Sequence, residues 1–304
     1  MHAGTYRTAA GLSRPIPVIK GLTALCMLPL AALLAGCDMH MHDLSARATD
    51  EWTHTYPLKP GGEIEIDNTN GKIEVEGADT ATVEVRAERI AKGATDAAAR
   101  ELLPRIVIKE DATPDRVSVR TERMSGIMIG ASFEVRYHVR APKNAVVSVT
   151  NTNGQVTLTG LNGKVTAHTT NGQVKGDTLT GAVDARTTNG GVNIDLSSIG
   201  REPVRLHTTN GAVTLTLPES GKADISASVT NGGISVGDFQ NLDVAEKSRR
   251  HFEARLNGGG TPIELQTTNG GVRIRPRNSI GDTTTGTETD RELKRLREPA
   301  ERDR

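Results

Sequence analysis

The chain has 304 residues, in which 37 Lys and Arg residues balance 37 Asp and Glu residues. A neutral chain lacks the excess positive charge that attracts nucleic acid, so we expect no nucleic-acid partner. Aromatic residues make up only 2% of the chain, whereas glycine occurs 32 times. This composition favours a narrow stack of strands over a thick globular core. It also argues against a sugar-binding platform, which usually needs exposed aromatic rings.

Residues 1–36 are predicted to form a lipoprotein signal peptide. Residues 1–20 carry three basic residues and no acid, and the apolar run 21–36 is too short to predict a membrane span. The run ends at Leu34-Ala35-Gly36-Cys37, which resembles the lipobox of bacterial lipoproteins. In that class the cysteine becomes the acylated first residue of the mature chain. The resemblance therefore implies that Cys37 anchors the protein in a membrane.

The location expected for such a protein is the periplasmic side of the cell envelope. Asp38 follows the cysteine and resembles an inner-membrane retention signal of enteric-type sorting. The second cysteine, Cys26, lies within the predicted signal peptide and would be removed with it. The mature chain would then have neither a free thiol nor a disulfide.

Residues 37–50 are predicted to form a polar tether. His40 and His42 alternate there with two methionines. Imidazole and thioether groups are ligands for copper or nickel, so these two histidines are a weak candidate metal site. A flexible tether in which His and Met occur by chance explains the same residues. We expect no cofactor.

The triplet Thr-Asn-Gly organises residues 51–276. It occurs seven times, with its asparagine at Asn70, Asn153, Asn171, Asn189, Asn210, Asn231 and Asn269. Three positions after each asparagine lies a β-branched aliphatic residue, and the flanking residues alternate between apolar and polar, which is typical of half-buried strands. From Asn153 onward, the spacing is 18 residues twice and then 21 residues twice. A period near 20 residues indicates stacked coils, because one such unit cannot bury its apolar face alone.

We therefore predict an all-β, single-domain, right-handed β-solenoid with rungs of 18–21 residues. Each rung has two short strands and two corners, and Asn-Gly is expected at one corner because both residues accept positive φ. Stacking places each corner asparagine over the next, which predicts a ladder of side-chain hydrogen bonds. The predicted ladder comprises Asn153, Asn171, Asn189, Asn210, Asn231 and Asn269. We expect these residues to stabilise the fold and not to form a functional site.

Before the regular rungs, the chain is less periodic. Residues 51–75 are predicted to form the first coil, with Trp52 and Tyr56 as apolar anchors, and 82–90 to form a strand. Thr95 is a candidate N-cap for one short helix over 95–103. Three further strands are predicted at 105–109, 116–120 and 133–140.

The loop over 124–131 is unusually apolar. Such a run is either tucked under the solenoid or exposed as a contact patch for a partner or a membrane. In the second case, the contact residues would be Ile127, Met128 and Ile129.

The period breaks again between 237 and 260, where the pattern predicts a hairpin that leaves the stack. The chain returns for a last rung at 263–274, which ends in a basic cluster that includes Arg273, Arg275 and Arg277. An outermost rung has unpaired strand edges, so we interpret this cluster as edge protection, with docking to anionic lipid as the alternative. Residues 277–304 are predicted to be a disordered, charged tail.

No catalytic motif accompanies the repeat. The outward positions of the rungs do not keep one chemical type. A polysaccharide lyase or hydrolase on such a fold would need pairs of Asp and Glu, or Arg and Lys with an acid-bound metal, clustered on one face. His168 and His207 are expected in one outward column two rungs apart, with Arg186 between them. We interpret them as solvated residues and not as ligands. We therefore expect a protein that is not an enzyme.

Three segments carry a family resemblance: the stretch 56–62, the Asn-Thr-Asn-Gly pairs that begin at Asn68 and Asn151, and the stretch 258–272. They resemble the bacterial "putative adhesin" or "toast-rack" β-solenoid family over about residues 51–276. The resemblance implies a fold and no catalytic residues. Its members are loosely tied to adhesion and to envelope stress systems.

The expected function is therefore that of a non-enzymatic, lipid-anchored envelope protein that binds or scaffolds. Its partners would be the membrane, through Cys37, and either an envelope protein or a second copy of the chain. One alternative is an accessory or sensor subunit of an envelope stress response. The other is a carbohydrate-active β-helix enzyme.

Overall fold

The computed structural model describes residues 46–122 and 130–277. These residues form nineteen strands, one short α-helix and one 3₁₀ turn. The predicted all-β solenoid class is confirmed. Several predicted features lie outside the described residues: the signal peptide, Cys37, His40, His42, the contact residues Ile127, Met128 and Ile129, and the tail from 278 onward.

The first part of the described chain forms seven strands and the helix. The strands are β1 Ala46–Pro57, β2 Glu63–Asn70, β3 Ile73–Ala78, β4 Thr82–Gly93, β5 Ile108–Ala112, β6 Arg116–Thr121 and β7 Ala131–Pro142. The helix α1 is Asp96–Leu102, and the 3₁₀ turn is Leu103–Arg105. Thr95 is the N-cap of α1, and its side-chain oxygen accepts a hydrogen bond from the backbone nitrogen of Ala98 at 3.2 Å.

The repeats form the next strands. They are β8 Val146–Asn153, β9 Val156–Thr159, β10 Val165–Asn171, β11 Val174–Leu179, β12 Val183–Asn189, β13 Val192–Leu196, β14 Val204–Asn210 and β15 Val213–Pro218. The last strands are β16 Ala223–Val236, β17 Leu242–Lys247, β18 His251–Leu256 and β19 Thr261–Arg277. β16 and β19 are long because each continues through its corner and supplies both halves of a rung.

The rungs stack as two columns of parallel, in-register strands. The first column runs β6, β2, β8, β10, β12, β14, the first half of β19 and the first half of β16. The second column runs β7, β3, β9, β11, β13, β15, the second half of β19 and the second half of β16. Like residues lie over like, so that Val165, Val183 and Val204 form one buried row.

Glycine is required at the corners because the rungs approach closely there. Gly190 has φ of 151°, and a Cβ atom at this position would lie 2.1 Å from the carbonyl oxygen of Gly172 in the neighbouring rung. No side chain fits such a gap without moving the backbone. The expectation that the corner asparagines also take positive φ is wrong, since the described non-glycine residues with positive φ are Thr178 and Asn257.

The order of the rungs at the C-terminal end differs from the order in the sequence. β19 pairs with β14 and β15 on one side and with β16 on the other. The predicted outermost rung at 263–274 is therefore an inner rung, and β16 is outermost. Consequently, the interpretation of Arg273, Arg275 and Arg277 as protection of the strand on which they lie is wrong. The predicted hairpin exists as β17–β18, but it stays on the stack, because β18 pairs antiparallel with the first half of β16.

The N-terminal end shows the same exchange of order. The rung made by β6 and β7 lies outside the earlier rung made by β2 and β3. Antiparallel strands then cover this end: β4 pairs with β7, β1 with β4, and β5 with β6. Residues 51–57 are therefore part of a covering strand and not of a first coil. That strand begins at Ala46, inside the segment predicted as the tether.

Candidate binding edge at the end of the stack

The corner asparagines form a continuous ladder that makes the stack rigid. Between neighbouring rungs, the side-chain Nδ2 of one corner asparagine donates to the Oδ1 of the other at 2.8 or 2.9 Å, and Asn70, at one end, only accepts. In spatial order the ladder runs Asn70, Asn153, Asn171, Asn189, Asn210, Asn269 and Asn231. It includes the six predicted residues, and it places Asn269 before Asn231 because of the exchanged rungs.

A second, buried set of side-chain bonds is made by the threonine two residues before the corner asparagine in four of the repeats. Thr187 and Thr208 donate through their hydroxyl groups to the carbonyl oxygens of Gly172 and Gly190, at 2.9 and 2.8 Å. Thr169 and Thr267 make the equivalent bonds. These buried threonines were not distinguished, from the sequence, from the more exposed threonines that follow them. The Thr-Thr-Asn-Gly pattern could have shown this, because alternate residues of a strand face opposite sides.

The outward face of the first column is a mixed-charge surface. Arg186 lies between His168 and His207, as the spacing predicts. A shallow cavity of about 260 Å³ here is lined by Arg186, Arg205, Leu206, His207, Glu264 and Gln266. The charged groups are solvated, and Arg205 lies 3.9 Å from Glu264. This arrangement provides neither a paired set of carboxylates nor a nucleophile next to a base.

The second column ends in an uncovered strand. β18 pairs with Ala223–Ser228 of β16, and in the described chain no strand pairs with the outer side of the second half. We call residues 233–236 the open edge. Ile234 and Val236 are only half-buried, whereas their partners Val272 and Ile274 in the next rung are fully buried.

The open edge has backbone groups that lack a strand partner. The backbone nitrogen of Gly237 donates to the carbonyl oxygen of Ile274 at 2.8 Å, so the backbone groups of Gly237 face β19. Successive residues of a strand direct their N–H and C=O groups to opposite neighbours. The backbone groups of Ile234 and Val236 therefore face away from the stack, where a further strand could accept and donate hydrogen bonds.

Five exposed basic residues surround the open edge, and we call them the basic rim. Arg273 and Arg275 point outward from β19, the strand next to the edge. Lys247 ends β17, and Arg249 and Arg250 lie in the turn that follows. The carbonyl oxygen of Arg249 lies 4.0 Å from the position of a Cβ atom built on Gly233. Within residues 46–122 and 130–277, none of the five rim side chains forms an ion pair.

The neighbouring Arg277 is different because it has an acidic partner. Its guanidinium group lies 3.5 Å from a carboxylate oxygen of Asp195, which is two rungs away. Burial raises the pKa of Asp195, and the positive charge of Arg277 opposes that rise. Arg277 is therefore part of the scaffold, and the basic rim is the part of this cluster that has no acidic partner.

The sequence pattern of the Toastrack DUF4097 family matches residues 137–275. The match covers less than half of the chain, and it shows that this segment is similar to the Toastrack family. The matched segment covers the regular rungs, the outermost rung and the β17–β18 hairpin, so the open edge and the basic rim lie within it. No curated protein sequence matches the chain.

Three solved structures of bacterial proteins are similar to this chain. A "putative cell adhesion protein" from Clostridium sporogenes is 11% identical, with a TM-score of 0.36, and the match covers 75% of this chain and 100% of that one. A "putative adhesin" from Bacteroides fragilis is 11% identical, with a TM-score of 0.32 and coverage of 75% and 97%. A "putative adhesin" from Parabacteroides merdae is 12% identical, with a TM-score of 0.25 and coverage of 77% and 97%.

The sequence predicted the corner ladder and the histidine column, and the structure places both where the period requires. It did not predict the open edge, because that edge depends on which rung is outermost. No helix among the described residues has the length and apolar character needed to cross a membrane.

Proposed function

We propose that this protein is a non-enzymatic, lipid-anchored module of the cell envelope whose toast-rack domain binds an extended segment of another envelope protein. The open edge carries this proposal. It is a strand at the end of a rigid stack, with unpartnered backbone groups and two half-buried aliphatic side chains. Addition of a strand to such an edge is a common mode of peptide recognition.

The chemistry of the edge defines the partner. Ile234 and Val236 offer apolar contacts toward the interior of the stack, while Arg273 and Arg275 lie on the outward face. A complementary strand would alternate between apolar and acidic residues, so that its acids meet the basic rim. Charges at the rim of an interface mainly accelerate association and select the partner, and this contribution weakens at high salt.

Two further observations support a binding role over a catalytic one. Strongly shifted pKa values are typical of active sites. Among the described residues, the groups with shifted pKa values are Tyr56, Arg136, Tyr137 and Asp195, and burial or adjacent acids explain each shift. The likeness to the Toastrack family also fits an adhesin-like module, since two similar solved proteins carry the description "putative adhesin".

The membrane anchor in this proposal is Cys37, and the location is the periplasmic side of the envelope, with the inner membrane favoured by Asp38. Three acyl chains exceed the two signals that stable membrane attachment requires. Metabolic labelling with a fatty acid tests the anchor. We expect label on the wild-type chain and none on Cys37→Ala, whereas label on both would contradict lipidation at this residue.

Crosslinking and capture from native membranes tests the binding role. The bait is the full lipoprotein, and the edge variant carries Arg273→Glu together with Arg275→Glu. The matched control carries Lys164→Glu together with Lys175→Glu, which reverses two exposed lysines on inner rungs. Cys37→Ala separates binding that needs the anchor from binding that does not.

We expect one envelope protein to be enriched by the wild type and by the control, and to be lost with the edge variant. Equal enrichment by both double variants would contradict binding at the basic rim. If only further copies of the chain are captured, the open edge is a self-association surface, and the proposal of a separate envelope partner is overturned.

A further inference from the structure

We propose that Glu246, His251 and Glu253 form a binding site for a divalent transition-metal ion of the zinc class. All three lie on the β17–β18 hairpin, and their ligand atoms are within 4.8 Å of one another. His251 Nε2 is 3.1 Å from a carboxylate oxygen of Glu253 and 3.8 Å from one of Glu246. The structure contains no ion, so these distances describe the ligands alone.

A β-bulge brings the two glutamates together. Val244 pairs with Ala254, but the next pair is Glu246 with Glu253, so Ala245 is an extra residue on β17. In a regular ladder, Glu246 would lie on the same face as Val244. The bulge instead directs Glu246 to the outward face, next to His251. Bulges often re-aim a side chain at a functional position.

Glu246 and Glu253 lack the arginine partner that other acidic residues on the outward face have. Glu65 is paired with Arg116, Asp184 with Arg186, and Glu264 with Arg205. Glu246 and Glu253 lie directly opposite each other across two strands, where like charges are destabilising. In the described residues their only ionic neighbour is His251, although the same hairpin carries four Lys and Arg residues. A bound cation would neutralise both.

The donor set indicates the class of ion. Imidazole nitrogen suits zinc and similar ions, whereas calcium takes six to eight oxygen ligands. Zinc commonly binds three protein ligands at about 2.0–2.2 Å and keeps a water at an open position. The side chains of His251, Glu246 and Glu253 are 37%, 56% and 51% exposed, so water can reach the ion. In tetrahedral coordination at such bond lengths the donors lie about 3.3 Å apart, so Glu246, at 3.8 Å from His251 Nε2, would have to approach it by about 0.5 Å.

The ion would join β17 to β18 by side chains as well as by backbone bonds. β17 is the outermost strand of this end of the first column, and its Val244 is 43% exposed. Weak packing makes such a strand the first to open. We therefore expect bound metal to stabilise the hairpin. The resulting rise in melting temperature can be measured separately from metal affinity.

Calorimetric titration with Zn²⁺ tests the site on the full chain. The background carries Cys37→Ala to keep the protein in solution, and His40→Ala with His42→Ala to remove the tether histidines. In this background we compare His251→Ala and Glu253→Gln with His207→Ala, a histidine on the same outward face. We expect one Zn²⁺ per chain in the background and in His207→Ala. We expect binding at least tenfold weaker in the two hairpin variants.

Glu246→Gln distinguishes a metal site from a purely structural cluster. Without metal this variant should unfold at the same or a higher temperature than the background, because it removes one of two facing like charges. With Zn²⁺ it should lose the rise in melting temperature that the background shows. Absence of stoichiometric Zn²⁺ binding in the background would overturn the proposal. So would equal Zn²⁺ affinity in His251→Ala and His207→Ala.

Discussion

The asparagine ladder can be tested at Asn189, in the middle of the stack. Asn189 donates to Asn171 at 2.8 Å and accepts from Asn210 at 2.9 Å, so Asn189→Ala removes two hydrogen bonds. One such bond contributes about 0.5–1.5 kcal/mol. Because the ladder is exposed and water can satisfy the freed groups, we expect the lower part of the summed range, a loss of about 1–2 kcal/mol.

Urea unfolding followed by circular dichroism measures this loss as a lower midpoint at an unchanged slope. Asn193→Ala is the matched control, because Asn193 lies outward on the next strand of the same rung and is not in the ladder. Asn231 is the last member and makes one ladder bond, so Asn231→Ala should cost about half as much as Asn189→Ala. Equal effects of Asn189→Ala and Asn193→Ala would refute the view that the ladder stabilises the stack.

Three further predictions concern the interior. Gly190→Ala should cost about 2–4 kcal/mol in a melting experiment, because the new Cβ would meet the carbonyl oxygen of Gly172 at 2.1 Å. An effect below about 1 kcal/mol would contradict the close approach of the rungs. Tyr137→Phe should cost about 1–3 kcal/mol, because the buried tyrosine hydroxyl is 2.7 Å from Thr121 Oγ1. Adding Thr121→Val to Tyr137→Phe should restore part of the lost stability, because neither side chain then leaves an unpaired hydroxyl group. A double variant that loses as much stability again as Tyr137→Phe alone would contradict the pairing of the two hydroxyl groups. Burial raises the pKa of Asp195 above its unfolded value, so its ionised form opposes folding above that unfolded pKa. We expect Asp195→Asn to be as stable as the wild type or more stable at neutral pH. The difference in stability between Asp195→Asn and the wild type should disappear as the pH falls through the raised pKa of Asp195. A stability advantage of Asp195→Asn that grows in acid would contradict this prediction.

The period of the repeat determines most of the fold. Apolar residues three and five positions after each corner asparagine become the inner rows of the second column, and the spacing places His168 and His207 on either side of Arg186. These features depend on local alternation and on equal rung length, which a sequence displays directly. The short helix was also predictable, because capping by Thr95 is a local interaction.

The order of rungs could not be read from the pattern. The segments 223–236 and 261–277 carry the same corner triplet and the same alternation, so either could be outermost. The choice depends on long-range pairing, in which the β17–β18 hairpin covers the first half of β16. The open edge and the basic rim follow from that choice.

The candidate metal site escaped the sequence analysis for a different reason. Glu246 and His251 are five residues apart, which is not a recognised ligand spacing on a strand. They meet only because the hairpin turns back and Ala245 forms a bulge. A bulge shifts every later residue of its strand to the opposite face, and the alternation of β17 does not reveal it.

The most direct test of the account is site-specific crosslinking at the open edge. Ser235→Cys places a single thiol on the edge strand, and Thr157→Cys places one in the same outward column on an inner rung. Each variant is labelled with a photoreactive maleimide and irradiated in native membranes. If a partner binds at the open edge, we expect an adduct with an envelope protein from Ser235→Cys and none from Thr157→Cys. Equal adducts from both positions, or none from Ser235→Cys, would contradict binding at the end of the stack.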